Sequence, residues 1–172
     1  MIRITKQTDY ALVLLSHFYT NGQSGPFSAK HLSEETKLPE PIVGKILKIL
    51  NNQGILSSVR GASGGYRLEK TADELSIADV VEAVEGPIHL TDCSCEEAHC
   101  DFQSHCPLRE NFRHLNVALR NAFRGVSLRA IFSPLSTAQC EQFVHKLQSA
   151  LTAQISPNHH PSQPATTINQ GA

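Results

Sequence analysis

Tryptophan is absent from this 172-residue chain, methionine occurs once, and aromatic residues make up only 6%. A protein that holds single-stranded nucleic acid by stacking bases on its rings needs more of them, so that class is set aside. No apolar run approaches the roughly 20 residues needed to cross a bilayer, so no membrane span is expected. Met1-Ile2-Arg3-Ile4-Thr5-Lys6 opens onto an amphipathic segment with no small-residue cleavage site, and does not read as a signal peptide. Charge of one sign is not in excess either. Fifteen Lys and Arg face sixteen Asp and Glu, a formal net charge of −1, which fits neither a uniformly basic coat nor an acidic disordered chain. Catalytic signatures are missing as well: there is no strand-to-helix nucleophile elbow and no His-Glu-x-x-His, so no enzyme is expected.

What the chain does contain is unevenly placed. Four of its five cysteines lie between Cys93 and Cys106, and in a chain without an export signal such clustering points to metal or redox chemistry rather than a disulfide framework. Charge is divided too. Residues 1–70 hold nine Lys or Arg and five acids; residues 71–150 hold six and eleven; residues 151–172 hold none of either sign. Within the middle block, 71–101 carries nine acids and no Lys or Arg, whereas 109–129 carries five Arg and one acid. A basic front, an acidic middle and an uncharged tail suggest separate tasks.

Apolar spacing predicts the elements. Ala11, Leu14, Leu15 and Phe18 share one face of a helix over 8–19. Ser28 is the N-cap of a short helix to about Glu35, and Pro41 suits the first turn of a third helix ending near Asn52, before Gly54. Ile42, Val43, Ile46, Leu47, Ile49 and Leu50 give that helix a broad buried face, with Lys45 and Lys48 elsewhere on it. Residues 55–59 and 66–68 read as strands joined by the Gly-rich turn from Arg60 to Gly65, and Ile77, Val80, Val81 and Val84 as a fourth helix closing at Gly86-Pro87. A long helix from Pro107 carries Leu108, Phe112, Leu115, Leu119, Ala122 and Val126 at steps of four and three, the narrow stripe of a coiled-coil seam. One further helical turn over 126–131 is followed by a last helix over 137–155 that places Cys140 in its core stripe, and by a disordered tail.

Three helices followed by a hairpin is the order of a winged helix, with the third helix in the major groove and the hairpin as the wing. The fold class is therefore mainly α with a small β-hairpin wing, plus a long dimerisation helix. The candidate DNA contacts are Ser28, Pro41, Lys45, Lys48, Arg60, Gly64, Gly65 and Tyr66. Arg67 brackets the turn with Arg60, and the hydroxyls of Ser28, Thr36 and Ser57 could bond phosphates. Protein-interaction modules share this element order, so order alone favours DNA binding only modestly.

Cys93, Cys100 and Cys106 have six and five residues between neighbours, with Cys95 between the first two. Thiolates favour iron–sulfur clusters, zinc and copper(I). The Cys-x2-Cys pair typical of zinc ribbons is missing, and a long loop suits a bulkier cluster, yet His99 and His105 keep zinc in competition. Each of these histidines directly precedes a cysteine and reads first as a solvated loop residue.

At this point the chain resembles the bacterial iron–sulfur winged-helix regulators that include IscR and NsrR. The resemblance rests on Met1 to Ala11, Leu38-Pro39-Glu40-Pro41, the wing from Arg60 to Leu68, and Ser76 to Gly86 ahead of three cysteines, and it covers about residues 1–132. Glu85-Gly86-Pro87-Ile88, Cys106-Pro107-Leu108-Arg109 and Val126-Ser127-Leu128 are similar to the branch that regulates the SUF iron–sulfur assembly system. The resemblance implies a cytoplasmic homodimer on a pseudo-palindromic double-stranded operator, repressing SUF genes while a cluster is bound. Cys93, Cys100 and Cys106 match the three ligating cysteines. One branch of the family takes a fourth ligand from a His three residues after the third Cys, where this chain has Arg109; another takes an acid from the partner's first helix, where this chain has Asp9. Asp9 therefore ranks first as fourth ligand, ahead of Cys95, His99 and His105, and 4Fe–4S ranks slightly above 2Fe–2S. The implied division is a DNA-binding domain over 1–86, a cluster loop over 87–106, a dimerisation region over 107–132, an added helix over 133–155 and a tail over 156–172. Zinc-stabilised DNA binding and a thiol–disulfide switch are the alternatives.

Overall fold

The computed structural model of the chain describes residues 4–21, 26–61, 63–91, 100–101, 105–134 and 136–154. Among the described residues, seven helices and one hairpin follow in the expected order. They are α1 (Lys6–Thr20), α2 (Ala29–Thr36), α3 (Glu40–Asn52), β1 (Leu56–Val59), β2 (Gly65–Leu68), α4 (Ile77–Glu85), α5 (Arg109–Arg124), α6 (Leu128–Phe132) and α7 (Thr137–Gln154). The architecture is mainly helical with a two-stranded antiparallel wing, in which Leu56 pairs with Leu68 and Val59 with Gly65. The tail over 156–172 lies outside the described residues.

Local chemistry sets the helix ends. Thr5, Ser28, Ser76 and Ser127 cap α1, α2, α4 and α6, each side chain accepting a backbone N–H of the first turn. Ser76 and Asp79 complete a reciprocal capping box. Pro41 sits in the first turn of α3, where its missing N–H leaves no bond unmade. One core gathers Leu14, Leu15, Leu32, Ile46, Leu47, Leu50, Leu75 and Val80, and Leu128 from α6 joins it. The chain that leaves the head through α5 thus returns to it, and Tyr19 of α1 meets Phe132 of α6 at 5.6 Å between ring centres.

Two features depart from the sequence reading, and a third bears it out. Ile42 is 38% exposed, because the buried face of α3 is narrower than its apolar content and consists of Val43, Ile46, Leu47 and Leu50, with Ile49 half-buried. Cys140 is exposed rather than a core residue: α7 packs on α5, and the side carrying Cys140 is left uncovered. The wing turn has the spacing Gly61-x-Ser63-x-Gly65, that of a nucleophile elbow, but it joins two strands, whereas an elbow leads from a strand into a helix.

Two long-range contacts shape the head beyond its helix packing. Phe27 forms a bridge to Tyr66, its N–H donating to the Tyr66 carbonyl at 2.8 Å and its carbonyl accepting from the Tyr66 N–H at 2.9 Å. This closes the base of the wing onto the segment before α2. It requires glycine at 65, since a Cβ there would lie 2.5 Å from the Phe27 carbonyl. The second contact is made by Glu85, the last residue of α4. Its carboxylate accepts from the Thr5 N–H at 3.0 Å and from the Thr8 hydroxyl, tying α4 to the start of α1. Burial pushes the Glu85 carboxyl up, but the hydrogen bonds from Thr8 and Thr5 outweigh it and hold the group below its ordinary value.

Gly65→Ala should destabilise the fold by about 1–3 kcal/mol in urea melts, as overpacking against fixed backbone does. Gly44→Ala, with nothing within 4 Å of its added carbon, should instead be neutral or stabilise by up to ~1 kcal/mol. Equal losses in both variants would dismiss the close approach at Phe27. For Glu85, the lowered value means its contribution is complete above a free glutamate's pKa of about 4.3 and is lost as pH falls through the folded value. The stability gap between the native chain and Glu85→Gln should be widest near pH 7 and shrink below about pH 4.3. A gap that does not change with pH would mean the ionised carboxylate is not what ties α4 to α1.

Candidate nucleic-acid interface and cysteine site

The third helix presents one exposed line of side chains. Pro41, Lys45 and Lys48, at steps of four and three, are all exposed on the side opposite Val43, Ile46, Leu47 and Leu50. Gly44 lies beside Pro41 and Lys45 with open space around it. A glycine inside a helix costs about 1 kcal/mol relative to alanine, and no packing contact here requires one. A smooth, positively charged helix face with no Cβ at its middle can lie deep in a groove. Sequence reasoning passed over Gly44; the signal that could have found it was a helix-weakening residue between two candidate contacts. Lys45 also reaches the Gln7 side-chain oxygen at 3.4 Å, which aims it toward the start of α1.

The wing places Arg60 exposed at the end of β1, before the turn. Gly64 belongs to that turn for a backbone reason, since a Cβ would lie 2.5 Å from the Val59 carbonyl oxygen. Ser28, Gly65 and Tyr66 are brought together by the Phe27 bridge, and a Cβ on Gly65 would lie 2.9 Å from the Ser28 nitrogen. The hydroxyls considered for phosphate have work within the chain. Ser28 Oγ accepts from the His31 N–H at 3.2 Å, Thr36 Oγ1 donates to the Leu32 carbonyl at 2.6 Å, and Ser57 Oγ accepts from Arg67 Nε at 3.2 Å.

Of the cysteine site, Cys100 and Cys106 are free, half-buried thiols, while Cys93, Cys95 and His99 lie outside the described residues. Among the described residues no three His, Cys, Asp or Glu side chains come together as a metal site. Asp9 is exposed in the first turn of α1, next to Thr8 and so beside the Glu85 tether. His105 is exposed just before Cys106. Two half-buried thiols ahead of α5, with Cys93 and Cys95 before them in sequence, are a soft donor set that fits an iron–sulfur cluster in chemical kind.

The segment between α4 and the loop is held by a residue that sequence reasoning missed. Asn116, in the middle of α5 and 8% exposed, accepts the Leu90 N–H on Oδ1 at 2.9 Å and donates from Nδ2 to the Ile88 carbonyl at 3.2 Å. Its only sequence signal was a polar residue of modest helix propensity in a helix otherwise patterned for packing. Lower on the same helix, Arg120 and Arg124 both face Glu82 of α4, the second at 3.9 Å.

Residues 4–134 match the family Rrf2, described as an iron-dependent transcriptional regulator. Protein aau3 of Rhizobium meliloti is 34% identical over 121 residues, covering 70% of this chain and 74% of that protein. The HTH-type transcriptional regulator IscR of Photorhabdus laumondii is 28% identical over 130 residues, covering 76% and 79%. Among solved structures, the oxidised form of CymR from Staphylococcus aureus is similar with a TM-score of 0.57 and 25% identity, over 79% of this chain and all of that one. No helix among the described residues is long and apolar enough to cross a membrane. IscR is by name a transcriptional regulator rather than an enzyme, and this chain belongs to the Rrf2 family of transcriptional regulators.

Proposed function

We propose that the chain is a cytoplasmic, homodimeric repressor whose affinity for a pseudo-palindromic operator depends on an iron–sulfur cluster held by Cys93, Cys100 and Cys106, with Asp9 of the partner subunit as fourth ligand. The observation that carries this reading is the pair of half-buried free thiols, Cys100 and Cys106, ahead of the long helix in a family described as iron-dependent. The SUF assembly genes are the proposed targets, on the strength of the sequence resemblance around Gly86 and Cys106. A bound cluster would supply a bulky, redox-sensitive cross-link between thiols separated by six and five residues of chain. The chain's own part is to hold those thiols at the root of α5 and to carry the state of the loop to the head.

The DNA-reading head is assigned to 1–86, the cluster loop to 87–106 and the dimerisation region to 107–132, with 133–155 as an added helix and 156–172 as a tail. Support for a dimer comes from α5 and its N-cap, where Leu115 and Leu108 are 44% and 52% exposed on the seam-like stripe. In the head, Pro41, Lys45 and Lys48 enter the major groove, with Gly44 permitting the close approach. Arg60 meets the phosphate backbone from the wing, where Ser28, Gly64, Gly65 and Tyr66 complete the contact surface. A second reading, a thiol–disulfide switch, is favoured by the two free thiols and by the likeness to CymR, which has been solved in an oxidised form.

Protein purified without oxygen should be coloured, with iron and acid-labile sulfide in comparable amounts. Replacing Cys93, Cys100 or Cys106 by Ala should abolish the chromophore, and Cys140→Ala should leave it intact. A colourless, zinc-loaded sample would turn the reading to zinc, and an intrachain disulfide seen by mass spectrometry in iron-free protein would turn it to the thiol switch. A duplex selected by the protein from a random pool supplies the DNA. On it, Lys48→Ala and Arg60→Ala should each weaken binding and reduce the slope of log affinity against log salt by about 0.9, one phosphate's share. A slope that stays put removes that residue from the contact surface.

A further inference from the structure

We propose that Asn116 is the positioning residue through which the state of the cysteine loop is reported to the long helix, and from there to the DNA-reading head. The inference rests on the loop acting as a sensor, as proposed above, and adds the route. Both polar atoms of the Asn116 side chain are spent on the backbone of one short segment, Oδ1 on the Leu90 N–H at 2.9 Å and Nδ2 on the Ile88 carbonyl at 3.2 Å. A carboxamide sets an oxygen acceptor and an NH2 donor group at the spacing of a peptide group, so Asn116 meets this segment as a neighbouring strand would. It does so from the buried side of a helix whose other buried side chains are Ala118 and Ala122.

The segment it holds is tethered at its root. At its root, Glu85 is tied to Thr5 and Thr8, and the Gly86 N–H donates to the Glu82 carbonyl at 3.1 Å. At its far end Leu90 is only three residues from Cys93, at most about 10 Å of extended chain. A change that draws Cys93 toward or away from Cys100 and Cys106 therefore acts within three residues of the Leu90 bond. The other end of α5 is fastened to the head. Arg120 and Arg124 flank Glu82 of α4, the Val126 carbonyl accepts from the Ile77 N–H at 3.0 Å, and the Leu128 N–H donates to the Leu75 carbonyl at 2.8 Å. A shift of α5 at Asn116 is passed to both ends of α4 and to the head's core.

The test uses the full chain and compares native protein with Asn116→Ala, Asn116→Asp and, as a control on the same helix, Ala118→Gly. Asn116→Asp keeps the acceptor for Leu90 and loses the donor to Ile88, and it carries the test should Asn116→Ala not fold. Amide exchange in cluster-free protein should speed up at Leu90 in Asn116→Ala and stay slow in Ala118→Gly. Affinity for the selected duplex is then measured for cluster-loaded and cluster-free protein. The native ratio between the two is expected to be at least about fivefold, the lower end of allosteric couplings. Asn116→Ala should keep the chromophore and yet bring the ratio to within about twofold, with Ala118→Gly unchanged. A native ratio retained in Asn116→Ala, an equal loss in Ala118→Gly, or loss of the chromophore in Asn116→Ala would each overturn the assignment. If native protein takes up no cluster, the cluster reading fails on its own. The ratio between diamide-oxidised and reduced protein then replaces the first one, with the same expectation for Asn116→Ala. If native protein shows neither ratio, the relay falls with the sensor.

Discussion

Leu128 is the residue that makes this molecule one mechanical unit. It comes from the short helix beyond the long one, yet it is buried with Leu14, Leu47, Leu75 and Val80 in the head. Fully burying a leucine is worth roughly 1.5–3 kcal/mol, more than any exposed ion pair can offer. That burial obliges α5 to begin and end against the same body. The backbone bonds from Ile77 to Val126 and from Leu128 to Leu75 then fix the angle at which the helix leaves. Without this return, α5 would be an appendage, and nothing happening at its root need reach α3.

The same constraint explains why α4 sits at the centre of so many contacts although it has only nine residues. Its N-terminus meets the end of α5, its Glu82 meets Arg120 and Arg124, and its Glu85 meets the start of α1. Packing alone would let these helices slide, because apolar contacts are not directional. The polar contacts fix register: each specifies one partner and one distance. Individually they are worth little where solvent reaches them, but together they leave α4 few alternative positions.

How much of this was legible in the sequence depends on the range of the interaction. The α3 face was legible because Val43, Ile46, Leu47 and Leu50 recur at helical spacing, and so were the Ser28 cap and Pro41, since caps and first-turn prolines act within four residues. Cys140 and Ile42 were misplaced for a common reason. Periodicity identifies an apolar face but does not show whether another element covers all of it. Gly64 and Gly65 were noticed as glycines and credited to DNA. Their demonstrable role is closeness to Val59 and Phe27 within the chain, a contact that only folding creates. The serine and threonine hydroxyls illustrate the same point, for nothing local announces that Ser57 will accept from Arg67. Asn116 and Glu85 were not legible at all, because their partners lie 26 and 80 residues away and backbone partners leave no residue-type signature.

The division of charge along the chain acquires a physical meaning from these pairings. The acidic stretch before the cysteines and the arginine-rich stretch after them meet in space, Glu82 with Arg120 and Arg124, and Asp73 with Arg129 at 2.6 Å. Much of the field of these two blocks is therefore cancelled at short range, within a Debye length of about 8 Å. Among the described residues no Lys or Arg of the first seventy positions lies in a salt bridge, and Lys48 and Arg60 are exposed. A net charge near zero thus conceals a local division: Lys45, Lys48 and Arg60 are exposed on α3 and the wing, while Glu82 of α4 is faced by Arg120 and Arg124. Electrostatic steering follows the local surface potential rather than the total charge, so such a chain can approach a phosphate backbone in one orientation without being basic as a whole.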